Sequence, residues 1–200
     1  MLSFPIKYKL RCLTLFSIVL SFPMFAQNVA VKTNLLSDAA LTPSLGLEIG
    51  LAKKWTIDID GQVNFWPVDG HKWEHMLIQP EARYWFCRKF AGHFIGINAI
   101  GAQYNVGNLD LGGLHFLGTD FRNLKDLRYQ GWAAGAGIAY GYSWPVHAHW
   151  NIEAELGLGW LYTRYTSYPC AKCGNKIRNR HPHNYAGPTK AAINIVYIFK

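Results

Sequence analysis

The sequence is poor in charged residues and has no long apolar segment beyond its first 26 positions. Charged side chains make up 16% of the 200 residues, whereas they approach a quarter in an average soluble domain, and 50% of the residues are hydrophobic. This composition argues against a disordered or highly charged chain. Because no run of about 18 consecutive apolar residues follows position 26, it also argues against helical membrane spans. A chain that is apolar overall but never apolar for long is typical of alternation with a period of two residues.

The first 26 residues lack acidic side chains and are predicted to form a secretory signal peptide. Basic residues precede an apolar run from Cys12 to Phe22, and small Ala26 follows shortly after it. This order of charged, apolar and small residues is that of an export signal. We therefore expect cleavage after Ala26 and one mature domain over residues 27–200.

The basic excess of the chain is local. The 20 Lys and Arg residues outnumber the 12 Asp and Glu residues, but loss of the three basic residues of the signal peptide reduces the 20 to 17 and leaves a net charge of +5. Five basic residues fall in one acid-free stretch, namely Arg164, Lys172, Lys176, Arg178 and Arg180. A surplus confined to one loop of an exported chain argues against nucleic acid as a partner.

Eight segments alternate apolar with polar or small residues, as strands between two different environments do. They span residues 28–37, 44–51, 55–66, 77–87, 93–105, 129–144, 150–164 and 187–199. An even number of strands suits a closed ring with both chain ends on one side, and closure leaves no strand edge without partners. The predicted fold is therefore all-β: an eight-stranded antiparallel up-and-down transmembrane β-barrel.

The connections and the aromatic residues predict an outer-membrane location. Short turns near residues 52–54, 88–92 and 145–149 alternate with long loops at 67–76, 106–128 and 165–186, and such long loops face outward in outer-membrane barrels. Trp55 and Trp66 are 11 residues apart, which is a rise of roughly 28 Å along a tilted strand, close to the apolar thickness of a bilayer. The alternative is a soluble barrel with a tryptophan-filled core, which would place its acidic residues outside.

Nine charged residues occupy the faces that would point into the barrel. They are Lys32, Glu48, Asp58, Asp60, Glu81, Arg83, Glu153, Glu155 and Lys190. An eight-stranded barrel is barely wide enough for its own side chains, so we interpret the nine as a buried salt-bridge network. A proton or ion path, or a catalytic carboxylate pair, is the functional alternative and would need a cavity.

The last long loop contains the one constellation with candidate metal chemistry. Cys170 and Cys173 are followed by His181 and His183, and four such ligands could hold a tetrahedral zinc ion. The histidine spacing is shorter than in zinc fingers, and in an oxidising compartment a local Cys170–Cys173 disulfide is the simpler interpretation. The five basic residues around it favour acidic partners such as lipopolysaccharide phosphates, acidic glycans or an acidic protein.

Nucleophilic catalysis has no support in the residue spacing. No serine lies beside a histidine or an acidic residue in a way that places both on one strand face. We therefore expect no catalytic residue and no resident cofactor other than the zinc ion considered above. A narrow channel or a lipid-modifying outer-membrane enzyme is the alternative function.

Seven ordered motifs resemble a domain-of-unknown-function family of small outer-membrane proteins from Gram-negative anaerobes of the gut and mouth. They lie at residues 32–36, 46–50, 79–85, 103–105, 128–132, 170–174 and 187–191. The resemblance implies an outer-membrane barrel whose gene often lies near those of fimbrial subunits, and it supplies no activity and no catalytic residue. Taken together, we expect a monomeric, non-enzymatic barrel with a structural or surface-interaction role. Its expected partners are outer-membrane lipids, lipopolysaccharide and a surface or fimbrial protein.

Overall fold

The computed structural model describes residues 29–66, 72–107, 115–116, 119–120, 127–169 and 177–199. The predicted signal peptide over residues 1–26 lies outside this part of the chain. The elements are β1 (Val29–Asn34), α1 (Leu35–Ala39), β2 (Ser44–Gly50), β3 (Trp55–Asn64), β4 (Lys72–Trp85), β5 (Gly92–Gly107), β6 (His115–Phe116), β7 (Thr119–Asp120), β8 (Arg128–Pro145), β9 (Trp150–Tyr168) and β10 (Arg178–Phe199). In the segments with assigned structure, no helix has the length and apolar character needed to cross a membrane.

Eight of the strands form one antiparallel sheet that closes on itself. The order around the ring is β1, β10, β9, β8, β5, β4, β3 and β2, while β6 and β7 form a separate two-stranded ribbon in the β5–β8 connection. Strands that follow one another in the ring also follow one another along the chain, and β1 meets β10 to close it. The predicted all-β, eight-stranded, antiparallel up-and-down arrangement is thus confirmed.

The strand faces alternate as the sequence pattern indicates. Along β3, Trp55 and Ile57 are exposed, whereas Thr56 and Asp58 are buried. Side chains on successive strand residues point to opposite faces, so the apolar residues cover the outside of the ring and the polar residues fill its interior. This polarity is the reverse of that of a water-soluble barrel.

The strands lengthen steadily around the ring, from 6 residues in β1 to 22 in β10. Strand β10 therefore pairs with β1 only over Asn194–Phe199, and the rest of β10 has β9 as its single neighbour. Pro182 and Pro188 lie in that part of β10. A proline lacks the N–H that a strand with two neighbours would use, so it is tolerated where one side of the strand is unpaired.

Three predicted segment boundaries are wrong. The expected loop over residues 165–186 is largely strand, because β9 continues to Tyr168 and β10 begins at Arg178. The loop expected over 67–76 is shorter, since β4 begins at Lys72, and the first strand ends at Asn34 rather than Ser37. Strands that extend beyond an apolar layer keep their ladder hydrogen bonds without needing apolar alternation, so the pattern underestimates their length.

Asn34 joins the end of β1 to helix α1. Its side-chain Oδ1 accepts the N–H of Leu36 at 3.1 Å, which caps the helix, and the N–H of Ile193 in β10 at 3.2 Å. Its Nδ2 donates to the carbonyl of Ala191 at 3.2 Å. One amide side chain thus continues the β1–β10 ladder past the point where the β1 backbone turns away.

The two ends of the ring differ. Turns at residues 51–54, 86–91 and 146–149 lie at the same end as Val29 and Phe199, and we call this end the short-turn rim. The other end carries α1 and the longer connections. Just inside the short-turn rim, Trp85, Phe90 and Phe94 fill the interior, with ring centroids 4.7 Å apart for Trp85 and Phe94. We call these three residues the aromatic plug.

Candidate functional site

Strand register places carboxylates from neighbouring strands in one row across the interior. Glu48 of β2 lies opposite Asp58 of β3, and Asp58 lies opposite Glu81 of β4. Asn98 of β5 continues the row beside Glu81. Residues directly opposite one another in an antiparallel pair point to the same face, so the register alone brings three acidic side chains together.

All nine of the inward charges noted in the sequence analysis lie together, and we call them the interior charge cluster. At its centre is Arg83, which is fully buried. Its guanidinium donates hydrogen bonds to Glu81 at 2.7 Å, Glu48 at 2.8 Å, Glu153 at 3.0 Å and Glu155 at 2.6 Å, and an ion pair of 3.0 Å joins it to Asp58. A guanidinium has five N–H groups in a planar fork, so Arg83 contacts five carboxylates from four strands.

Two lysines extend the cluster. The Lys32 ammonium lies 3.0 Å from Glu48, 2.9 Å from Asp58 and 3.5 Å from Glu153. On the long-loop side, the Lys190 ammonium lies within 3.2 Å of three carboxylates, those of Asp60, Glu81 and Glu155. With Arg83, these contacts join β1, β2, β3, β4, β9 and β10 across the interior.

Amides and a glycine complete the packing of the cluster. Asn194 donates to Glu153 at 3.1 Å, and Asn98 donates to Glu81 at 3.3 Å. A Cβ placed on Gly96 would come within 2.6 Å of the Glu81 Cδ atom. These three residues are not among the predicted site residues, although Asn98 and Asn194 stand at inward positions of alternating strands and are detectable on that basis.

The cluster lies between an apolar layer and a polar cavity. Towards the short-turn rim, the Phe94 ring lies 4.5 Å from the Arg83 Cζ atom, and the Trp85 indole donates to Thr56 at 2.9 Å. On the opposite side is a cavity of about 120 Å³, lined by polar side chains that include Asp60, Gln79 and Lys190. A cavity of this size holds several water molecules but no lipid-sized ligand.

The cluster carries more negative than positive charge. It contains six carboxylates and three cationic side chains, a formal charge of −3, and Glu48 Oε1 and Asp58 Oδ1 accept no hydrogen bond from the described residues. Within the described lining, Asp60 is the one carboxylate that reaches the cavity. Carboxylates held by cations in this way connect strands across the interior.

The other predicted site residues are placed only in part. Cys170, Cys173, Lys172 and Lys176 lie outside the described residues, so the disulfide and the zinc site stay predictions. His181 and His183 lie on β10 opposite Tyr165 and Thr163, and Arg178 begins that strand. Arg164 and Arg180 are exposed. Within the described segments, no group of three or more His, Cys, Asp or Glu residues forms a metal site.

The chain matches one family model. A family model described as "Protein of unknown function (DUF3575)" matches residues 12–199. The comparisons with curated proteins and with solved structures give no match. Because the family model covers nearly the whole sequence, the chain belongs to the family of proteins of unknown function DUF3575.

Proposed function

We propose that the protein is an outer-membrane β-barrel with a closed interior and a structural or surface-interaction role. The observation that carries this proposal is the polarity of the ring. Outward Leu156 and Ile97 are 72% and 70% exposed, while inward Arg83 and Glu48 are fully buried. Apolar side chains over a whole barrel surface are unfavourable in water and favourable in lipid, and a ring leaves no strand edge unpaired there.

The aromatic residues support the same proposal. Exposed Trp55, Trp144 and Trp150 lie near the short-turn rim, and exposed Trp132 and Trp160 lie towards the other end of their strands. Indole rings favour the boundary between lipid headgroups and acyl chains. Two aromatic belts separated by an apolar band are the expected exterior of an outer-membrane barrel.

The surface role rests on the end of the barrel opposite the short-turn rim. Arg164 and Arg180 are exposed there, near the ends of the two longest strands. Together with Lys172, Lys176 and Arg178 they would present positive charge to acidic partners, namely lipopolysaccharide phosphates, acidic glycans or an acidic surface or fimbrial protein. No enzymatic step and no cofactor form part of this proposal.

The barrel proposal is tested by gel mobility of the mature chain extracted in detergent. We expect the unheated sample to migrate differently from the boiled sample, because a closed barrel stays folded in detergent until it is heated. Identical mobility of the two samples, together with failure to float with lipid vesicles, would overturn the proposal.

The surface role is tested by removing the connection between β9 and β10. Deleting residues 171–176 leaves both strand ends in place and removes two of the five basic residues, so we expect normal folding but weaker binding to purified lipopolysaccharide and to fimbriated cell surfaces. The matched control replaces Lys172 and Lys176 with arginine, which keeps the length and charge of the connection, and should bind as the wild type does. Unchanged binding after the deletion, or modified lipid A in mass spectra of cells making the protein, would contradict the proposed role.

The predicted disulfide is tested by counting reactive thiols in the mature chain. Cys87 is free and exposed, so it supplies an internal reference. We expect one labelled thiol without reductant and three after reduction. Three labelled thiols after addition of a chelator alone would indicate the zinc site instead, and three without either reagent would contradict both interpretations.

A further inference from the structure

Four basic residues cluster at the short-turn rim, at the end of the barrel opposite the basic residues discussed above. Lys53 and Lys54 lie in the β2–β3 turn, and Arg88 and Lys89 lie in the neighbouring β4–β5 turn. The two turns are in contact, since the N–H of Lys89 donates to the carbonyl of Lys53 at 3.4 Å. We call these four residues the basic rim cluster.

The basic rim cluster has no acidic counterpart. The three described turns of this rim, at residues 51–54, 86–91 and 146–149, contain no Asp or Glu. Lys53 and Arg88 are exposed and Lys89 is half-exposed, while the Lys54 ammonium donates to the carbonyl of Phe86 at 2.8 Å. Uncompensated cations that share one small surface attract an anionic ligand from solution or from the membrane surface.

An aromatic surface lies directly beside the basic rim cluster on the outside of the ring. The ring centroids of Trp55 and Tyr84 are 5.1 Å apart, and those of Tyr84 and Phe86 are 6.0 Å apart. The Lys54 ammonium lies 5.9 Å from the centre of the Tyr84 ring. Rings of this kind at a barrel end sit at the headgroup level of a bilayer, so the cations beside them lie at the height of lipid phosphates.

We propose that the basic rim cluster binds the headgroups of anionic phospholipids. The phosphate contacts Lys53, Arg88 and Lys89, and the adjoining acyl chains contact the outward rings of Trp55, Tyr84 and Phe86. The site rests on the proposed function, because it requires the barrel to sit in a bilayer. The lipid site lies at the short-turn rim, which takes no part in the proposed surface role.

The test is native mass spectrometry of the mature chain in detergent micelles that contain equal amounts of phosphatidylglycerol and phosphatidylcholine. We expect the wild type to retain phosphatidylglycerol in preference to phosphatidylcholine. In the variant Lys53→Gln with Arg88→Gln, that preference should fall by roughly fivefold for each removed charge. A fivefold change corresponds to about 1 kcal/mol, which is the contribution of one basic residue near an anionic lipid surface.

The matched control keeps the charge of the rim, as Lys53→Arg with Arg88→Lys, and should keep the preference. Equal retention of both lipids by the wild type, or equal loss in the two double variants, would overturn the lipid site. The same samples are checked for heat-modifiable mobility. A mobility shift without lipid preference refutes the lipid site alone, whereas absence of the shift refutes the barrel proposal.

Discussion

Arg83 is the residue to which most of the interior is tied. Burying a guanidinium costs several kcal/mol, and here five carboxylates offset that cost. The carboxylates in turn depend on Arg83, since they outnumber the cations of the cluster. Loss of this one side chain therefore changes the energy of every acid around it.

Replacing Arg83 with glutamine is expected to lower the free energy of unfolding by about 3–5 kcal/mol, because it leaves buried carboxylates without their shared cation. The measurement is urea unfolding of the protein refolded in lipid vesicles. Asp60→Asn is the matched control, and it should change the stability little, because Asp60 lies at the cavity and its removal reduces the excess negative charge. Equal losses in the two variants would contradict the central role of Arg83.

Gly96 lies directly beside the Glu81 side chain. Gly96→Ala places a methyl group where the Glu81 side chain lies, and Glu81 is held in place by Arg83 and Lys190. We expect a loss of about 1–3 kcal/mol in the same unfolding experiment, as for other overpacked interiors. Gly101→Ala is the control, since its nearest neighbour would be an Ile78 methyl group at 3.5 Å. A neutral Gly96→Ala variant would show that the cluster can move aside.

At the scale of elements, the junction of β1, α1 and β10 depends on a side chain rather than on backbone pairing. The Asn34 amide caps the helix and bonds to two backbone groups of β10. Leucines 35 and 36 of the helix are exposed, so packing of the helix contributes little to its position. The amide thus helps to hold α1 in place, together with the Asp38 carboxylate, which accepts the N–H of Ser44 at 3.0 Å.

Asn34→Ala is expected to cost about 1 kcal/mol, as loss of a helix cap does, and to speed hydrogen exchange at the amides of Leu36 and Ile193. Asn34→Asp keeps the acceptor oxygens and should protect both amides better than alanine does. Hydrogen exchange followed by mass spectrometry measures the difference. Unchanged protection in the alanine variant would mean that backbone contacts alone hold the junction.

The sequence predicts strands well where they alternate and poorly where they do not. The segments 44–51 and 150–164 stand out because the outside and the interior of the ring require opposite residue types at successive positions. The alternation does not predict the start of β10 at Arg178, because the residues Arg178 to Tyr185 are not apolar at every second position. The alternation also does not predict α1, because a helix of five residues is too short to show a periodic pattern.

The residues of the candidate site are predicted from the sequence, but their arrangement is not. The period of two identified Arg83 and the eight other inward charges from their positions alone. It did not reveal that Arg83 lies at the centre or that Lys190 faces the cavity, because both depend on the register between strands that are far apart in the chain. Register is determined by the whole set of strand pairs, and no single segment encodes it.

At the scale of the whole molecule, the interior is filled in two layers. The aromatic plug occupies the short-turn end, and the interior charge cluster lies directly against it. The cavity beyond the cluster is lined by Lys190, Asp60 and Gln79 among others. The part of the interior next to the short-turn rim is therefore filled by side chains.

We accordingly expect planar bilayers that contain the purified protein to show no stepwise currents in 1 M salt. At this salt concentration the Debye length is about 3 Å, so charges at the barrel mouth are screened and do not block ions. The positive control for reconstitution is heat-modifiable mobility of protein recovered from the same vesicles. Reproducible unitary steps would contradict a closed interior and favour the narrow-channel alternative.

Because the strands differ in length, β1 is the strand with the fewest pairs to its neighbours in the ring. Eighteen residue pairs join β8 to β9, whereas β1 is held by six pairs on one side and four on the other. The Lys32 ammonium fastens this short strand to the interior from within. Mechanical force or a denaturant would thus separate β1 before any other strand. During assembly, the ring is complete only when β1 has paired with both of its neighbours.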